Sequence, residues 1–425
     1  MWGRPRLSVE SSSTSLPALY SRRYHRHLMS AQKSMLQEFP WGQRYAVSSI
    51  EDVLTPALVM YPEVIAANVE RTLELLDGDP DRWRVHIKTA KLARTLRMLI
   101  DRGIRNFKCA TTLELLVACQ NGAADVLLAY PVMSANARRV QDIAQQFPNV
   151  RISVLAENEE QAQQWRACPV GIFIDINPGM NRTGIEHTET NKILSLARAI
   201  THTALEFRGL HYYDGQYGNL AEPERTQAAH RGYDCLMKIV SELERSGINV
   251  PEVITSGTPT FPCALAYQAF RRGNFVHRVS PGTIVYCDAT SLHQLPGAYG
   301  YRPVVLVLTR VVSHPHPGIV TCDAGHKAVS ADAGVPTCVV LGHPELTPLS
   351  PNEEHLPIEV KEGAPTPQLG EALYLLPRHI CPTVNNFDAA LLVRKGTIES
   401  METVSARGHE SPLLQSAGRT VSASD

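Results

Sequence analysis

A lysine at residue 88 ends an apolar run, Val85-His86-Ile87-Lys88, and is followed by Thr89-Ala90-Lys91. An amine at the end of an apolar strand is partly desolvated. Desolvation disfavours the ammonium form, so the amine becomes a usable nucleophile toward an aldehyde. The plain alternative is a lysine whose stem lies on apolar surface while its head snorkels to the rim. A second chemical group stands near the C-terminus, in Pro377-Arg378-His379-Ile380-Cys381-Pro382-Thr383-Val384-Asn385. In an extended segment residues two apart share a face, so His379 and Cys381 would point the same way. Imidazole and thiolate are good zinc ligands, and two protein ligands leave positions open for a substrate. The plain alternative is a structural histidine beside a buried cysteine.

Elements of the right kind exist to position these groups. Short apolar runs read as strands at 85–88, 106–110, 126–129, 151–155, 171–177, 205–212, 252–255 and 275–279. Helical periodicity falls between them at 91–102, 112–121, 135–147, 158–166, 190–201 and 222–246. Eight strands alternating with helices predict a (β/α)8 barrel. An open doubly wound sheet is the alternative, but no GxGxxG follows the first strand. In a barrel, chemistry sits at the C-terminal ends of the strands. Lys88 is at that rim. So are the string Pro178-Gly179-Met180-Asn181-Arg182-Thr183-Gly184, the stretch ending in Tyr213-Asp214-Gly215, the turn Ser256-Gly257-Thr258, and Pro281-Gly282-Thr283. Ser-Gly-Thr and Gly-Thr turns offer backbone N–H and hydroxyl groups to a phosphate. The last two strands are where this fold usually binds one.

After residue 283 helices give way to β-branched runs at 304–312, 319–322 and 337–341, the pattern of an antiparallel β domain. The predicted organisation is an extension over 1–35 and a lead-in strand and helix over 36–83, the strand partly joining the β domain. The barrel follows over 84–283, the β domain over 284–407, and a disordered tail over 408–425. The extension is serine-rich and basic, with one acid, Glu10. It reads as a disordered extension, or as an upstream start with Met29 or Met35 as the true one; a transit peptide can look like this, but the stretch lacks the apolar core of a secretory signal.

The segments quoted above resemble the fold-type III pyridoxal-phosphate enzymes, the alanine racemase-like barrels. They are most similar to the D-threonine aldolase and D-serine dehydratase family, over residues 54–409. The resemblance implies a barrel followed by a β domain, with pyridoxal phosphate as cofactor. It implies that Lys88 is the Schiff-base lysine and that Arg182 lies near the cofactor's phenolic oxygen. Ser256, Gly257, Thr258, Gly282 and Thr283 would form the phosphate cup, with Tyr213 near the ring. His379 and Cys381 would bind a divalent metal. A thiolate ligand favours zinc over manganese, and the resemblance associates zinc with the dehydratase branch. The implied activity is a lyase on D-3-hydroxy amino acids, by dehydration or by retro-aldol cleavage, in a homodimer.

The chain departs from the pattern twice. Ala90 stands where the family has histidine. Ser280 stands where alanine racemases place an arginine facing the pyridine nitrogen. A racemase on the same barrel, needing a second base and no metal, is therefore disfavoured. The missing histidine leaves open a cofactor-binding protein without turnover. The acid–histidine cluster of His343, Glu345, Glu353, Glu354 and His355, the string Asp323 to Lys327, and the sequon at Asn181 are lesser candidates.

Composition narrows the partners. The net charge is -1, with 44% hydrophobic and 20% charged residues. That gives no reason to expect nucleic acid or a charged membrane surface as the main partner, and no apolar run is long enough for a membrane span. The nine cysteines include no CxxC pair and read as reduced thiols in a cytoplasmic protein.

Overall fold

A computed structural model describes residues 45–413 apart from residue 296. The extension expected over 1–35 lies outside the described residues. β1 (Ala57–Met60) comes first, followed by the helix Pro62–Leu75, whose opening proline sits where a helix has no N–H partner to lose. Then come the strands β2 (Arg84–His86), β3 (Asn106–Cys109), β4 (Asp125–Leu128), β5 (Arg151–Ala156), β6 (Gly171–Asn177), the short β7 (Ile185–Glu186), β8 (Glu206–Tyr212), β9 (Glu252–Thr255) and β10 (Val276–Val279). All but β7 form one parallel sheet in chain order. A bridge from Trp83 to Val279 brings its first and last strands together. This is the predicted eight-stranded barrel. β6 is buried at every position, as expected of a parallel strand covered on both faces.

The lumen is filled in layers. Arg84, Asp125, Arg208 and Glu252 make an ionic floor, with Arg84 gripping Glu252 through two contacts of 2.8 and 2.9 Å. Two residues further along the strands, Leu127, Leu155, Phe173 and Ile254 form a buried apolar cluster separate from the main core. The alternation of strand side chains then returns polar groups to the lumen at the upper end: His86, Lys108, Asp175 and His211. The guanidiniums of Arg84 and Arg208 lie 5.7 and 5.4 Å from the Phe173 ring centre, joining floor to layer.

The β domain contains β11 (Val305–His316), β12 (Ile319–Cys322), β13 (Cys338–Val340), β14 (Leu346–Pro348), β15 (Leu356–Val360), β16 (Ala372–Pro377), β17 (Ala389–Arg394) and β18 (Thr397–Thr403). β1 lies in this sheet, antiparallel to β11 and parallel to β17. The chain stays anchored beyond residue 408. The Gly408 N–H donates to Asn385 at 2.9 Å, and Arg139 pairs with Glu410 at 2.7 Å. Of the tail expected over 408–425, residues 414–425 lie outside the described residues.

Candidate active site

Lys88 lies two residues beyond β2, in a turn and half-buried. The strand expected over 85–88 stops at His86, because the His86 Nδ1 accepts the Lys88 N–H at 3.3 Å. The Ile87 N–H still reaches the Lys108 carbonyl at 2.8 Å, so the turn stays tied to β3. Thr89 Oγ1 lies 2.9 Å from Cys381 Sγ. Thr283 Oγ1 lies 3.8 Å from the same sulfur. The lysine loop, the last barrel turn and the His-x-Cys segment therefore meet, although they are far apart in sequence.

Arg182 is presented by a loop pinned at both ends. Asn177 Oδ1 accepts from the Gly179 and Asn181 N–H groups, both at 3.0 Å, which spends Asn181 on the turn. Thr183 Oγ1 donates to Asp175 at 2.7 Å. The Arg182 guanidinium sits 4.7 Å from the Tyr213 ring centre. Gly257 lets that ring approach: a Cβ there would come within 2.8 Å of a ring carbon. Gly282 is likewise required by close approach, since a Cβ would stand 2.2 Å from the His86 carbonyl. Ser256 takes a positive φ of 66° and donates its hydroxyl to Thr255 at 2.7 Å. Thr260 accepts the Gly257 N–H at 3.3 Å and donates to buried Asp214 at 2.5 Å, which steadies the turn. Thr258 Oγ1 is buried and has no partner among the described residues. A buried hydroxyl without a partner is costly, and a phosphate would satisfy it. The turn therefore fits the cofactor's phosphate. Ser280 donates to the Arg84 carbonyl at 2.8 Å, so its hydroxyl is committed to backbone.

The upper lumen holds groups that motif reading passed over. Asp175 Oδ1 lies 2.7 Å from His211 Nδ1, and His211 Nε2 lies 3.4 Å from Lys108 Nζ. Burial, then the Lys108 charge, holds His211 below the usual imidazole range despite Asp175. His86 falls further, through burial and then the charges of Lys88 and Lys108. Burial, followed by the charges of Lys88 and Arg182, pulls the Lys108 amine down to about 7. The available signal was a polar residue at the centre of an apolar strand, as in Phe107-Lys108-Cys109.

Lys108 makes a prediction about pH. Unfolded, the amine keeps its proton to about 10.4, whereas folded it loses it near 7. Between these values the unfolded chain binds more protons, so stability rises with pH across the window. Lys108→Met removes the penalty. In cofactor-free protein we expect the variant to be more stable at pH 7, with a gap that closes by roughly 2 kcal/mol on going to pH 9. Melting curves at both pH values check this; a constant gap would contradict it.

His379 and Cys381 are brought together, but not by an extended segment. His379 is the extended residue before a short helix, Ile380–Asn385, and Cys381 lies in its first turn. Pro382 is tolerated there because first-turn N–H groups lack helical partners. Asp288 accepts the Ile380 N–H at 2.9 Å. Burial opposes the change, but the hydrogen bond and charge of Cys381, with Asp288 and Asp332, raise His379 to about 10. Burial likewise opposes the shift at Cys381, which His379 brings below the ordinary thiol value. An imidazole beside a thiol whose proton is held less tightly than usual is a donor pair that a soft divalent cation fits. No group of three or more ligating side chains exists among the described residues. The acid–histidine cluster splits into His343 with Glu345 at 3.0 Å and Lys327 with Glu354 at 2.8 Å. Asp323 serves structure, accepting from Thr55, Thr309 and the Arg310 N–H.

Comparison with known proteins agrees with this layout. The profile of the alanine racemase N-terminal domain matches residues 62–290, and that of a putative serine dehydratase domain matches 305–393. The chain is 26% identical to the D-threonine aldolase of Arthrobacter sp over 363 residues, 83% of this chain and 93% of that protein. It is 25% identical to the D-threo-3-hydroxyaspartate dehydratase of Delftia sp. (strain HT23) over 376 residues, 82% and 96% of the two chains. Among solved structures, the D-threonine aldolase from Filomicrobium marinum superposes with a TM-score of 0.76 at 24% identity, covering 84% of this chain and 96% of that one. A cysteine variant of D-threo-3-hydroxyaspartate dehydratase, described as metal-free, gives 0.69 at 21%, covering 84% and 98%.

Proposed function

The chain belongs to the alanine racemase-like, fold-type III pyridoxal-phosphate enzymes, and from that premise we propose that it is a metal-dependent lyase acting on D-3-hydroxy amino acids. The observation that carries this is the contact of Thr89 with Cys381 at 2.9 Å, which sets the metal motif beside the lysine loop. Lys88 would hold pyridoxal phosphate, with Thr258 and the turns at Ser256-Gly257 and Gly282-Thr283 receiving its phosphate. Tyr213, fixed by Gly257 and Arg182, would line the ring. His379 and Cys381 would hold the cation, zinc in preference to manganese because one donor is a thiolate. Bound there, the cofactor supplies an electron sink for the α-carbon and the cation a Lewis acid for the 3-hydroxyl oxygen.

The chain's own residues decide what surrounds that chemistry. The Lys88 amine would be the group able to take or return a proton at the α-carbon. Arg182 places a permanent cation beside Tyr213, and Lys108 a titratable one behind it at 5.7 Å. Zinc at Cys381 favours dehydration to a 2-oxo acid and ammonia. The aldolase relatives favour the second reading, cleavage to glycine and an aldehyde. All nine cysteines are free thiols, which supports a cytoplasmic setting, and the resemblance adds a homodimer.

The test supplies the purified protein with pyridoxal phosphate, zinc or manganese, and D-serine or D-threonine. We expect 2-oxo acid from D-serine, reduced at least about tenfold by chelation and restored by zinc. Aldehyde as the main product would move the protein to the aldolase reading. Racemisation that persists in strong chelator would overturn both.

A further inference from the structure

Asp332 stands against the His-x-Cys motif from another element. Asp332 Oδ2 lies 2.6 Å from His379 Nδ1. The two are 47 positions apart, yet the contact is built from both sides. Ser330 Oγ donates to Asp332 Oδ1 at 2.9 Å. The Ser330 N–H donates to Thr383 Oγ1 at 3.3 Å, and that hydroxyl donates to the His379 carbonyl at 2.8 Å. Asp332, Ser330, Thr383 and His379 thus close a ring of hydrogen bonds that locks the loop onto the start of the helix carrying Cys381.

We propose that Asp332 is the positioning residue for His379, fixing which ring nitrogen faces the cation and at what angle. A carboxylate accepting from Nδ1–H leaves Nε2 as the nitrogen with a free lone pair, and makes it a stronger donor. With Nδ1 occupied, Nε2 is the nitrogen available to Cys381 or to a metal. Folding stability does not explain the contact. The two side chains are 36% and 46% exposed, and an ion pair that open to water contributes little. The inference rests on the reading that His379 and Cys381 bind a divalent cation.

The probe is zinc alone, titrated into the full chain without pyridoxal phosphate, in competition with a chromophoric chelator. His379→Ala tests the underlying reading: wild-type zinc affinity in that variant would remove the metal site itself. Asp332→Ala tests the inference, with an expected loss of about 10–100-fold in zinc affinity. Asp332→Asn, whose side-chain oxygen still accepts from Nδ1, recovers most of the loss. A merely structural role would instead lower the zinc-free melting temperature, which we expect to stay at the wild-type value. Should Asp332→Ala fail to fold, Ser330→Ala takes its place, with a loss of at least about threefold expected. Wild-type affinity in whichever variant folds, or an Asp332→Asn no better than Asp332→Ala, overturns the proposal.

Discussion

Lys88→Ala is expected to abolish the visible absorbance that pyridoxal phosphate gives when loaded on the protein, and to lower turnover by about a thousandfold or more, some 4 kcal/mol of barrier. Three lysines stand close to one another, and their surroundings separate them. Lys91 is spent on Glu114 at 2.6 Å and on the Ala406 carbonyl. Lys108 is buried in the lumen against His211. Lys88 alone of the three is half-buried at the rim, and among the described residues no hydrogen bond commits its amine. Its neighbours Thr89 and His86 are structural parts of the turn. The variant should therefore fold, and circular dichroism provides the control. A small added amine should restore part of the activity by taking over the proton transfers. Borohydride trapping followed by peptide mapping identifies the carrier directly. If the label appears on Lys108 in the wild type, the assignment to Lys88 is wrong.

Glu252→Ala should cost about 3–5 kcal/mol of stability, because it leaves buried guanidiniums without their counter-charge. Glu252 is 3% exposed and contacts Arg84 at 2.8 Å, Arg278 at 2.6 Å and Arg208 at 3.7 Å. Asp125 is left as the other acid of the floor. Burial would raise its carboxyl, but Arg84 and Arg208 hold it at about 2. One carboxylate cannot serve three arginines. Glu252→Gln, which keeps a hydrogen-bond acceptor, should lose less. The expectation concerns breaking the network; replacing all its members by apolar residues of similar volume is a different experiment that can be neutral. Denaturant titration gives the answer, and a loss under about 1 kcal/mol would place the variant among ordinary surface substitutions.

How far the sequence carries is clear from particular residues. The eight barrel strands were legible because β-branched and apolar runs stop at glycine or polar turns, and their ends fall within a few residues of those expected. Lys88 was singled out because it ends an apolar run, His379 because it stands two residues from a cysteine, and Arg182 through the family resemblance of its string. The group Lys108, Asp175 and His211 was not, since it exists only through strand pairing: Asp175 stands opposite His211 in the register of β6 and β8. Asp332 was missed for the same reason, its partner being in another element. The extended reading of the His-x-Cys segment failed because the helix Ile380–Asn385 starts directly after His379, with Pro382 in its first turn.

The apolar layer of Leu127, Leu155, Phe173 and Ile254 has a consequence for traffic. With the ionic floor beneath it, the barrel is a tube sealed at one end. Whatever enters must leave by the same end of the barrel. Substrate and products therefore queue at one door, and a product still in the doorway excludes the next substrate. Product inhibition should accordingly be competitive, and loosening the sealed end should leave it unchanged.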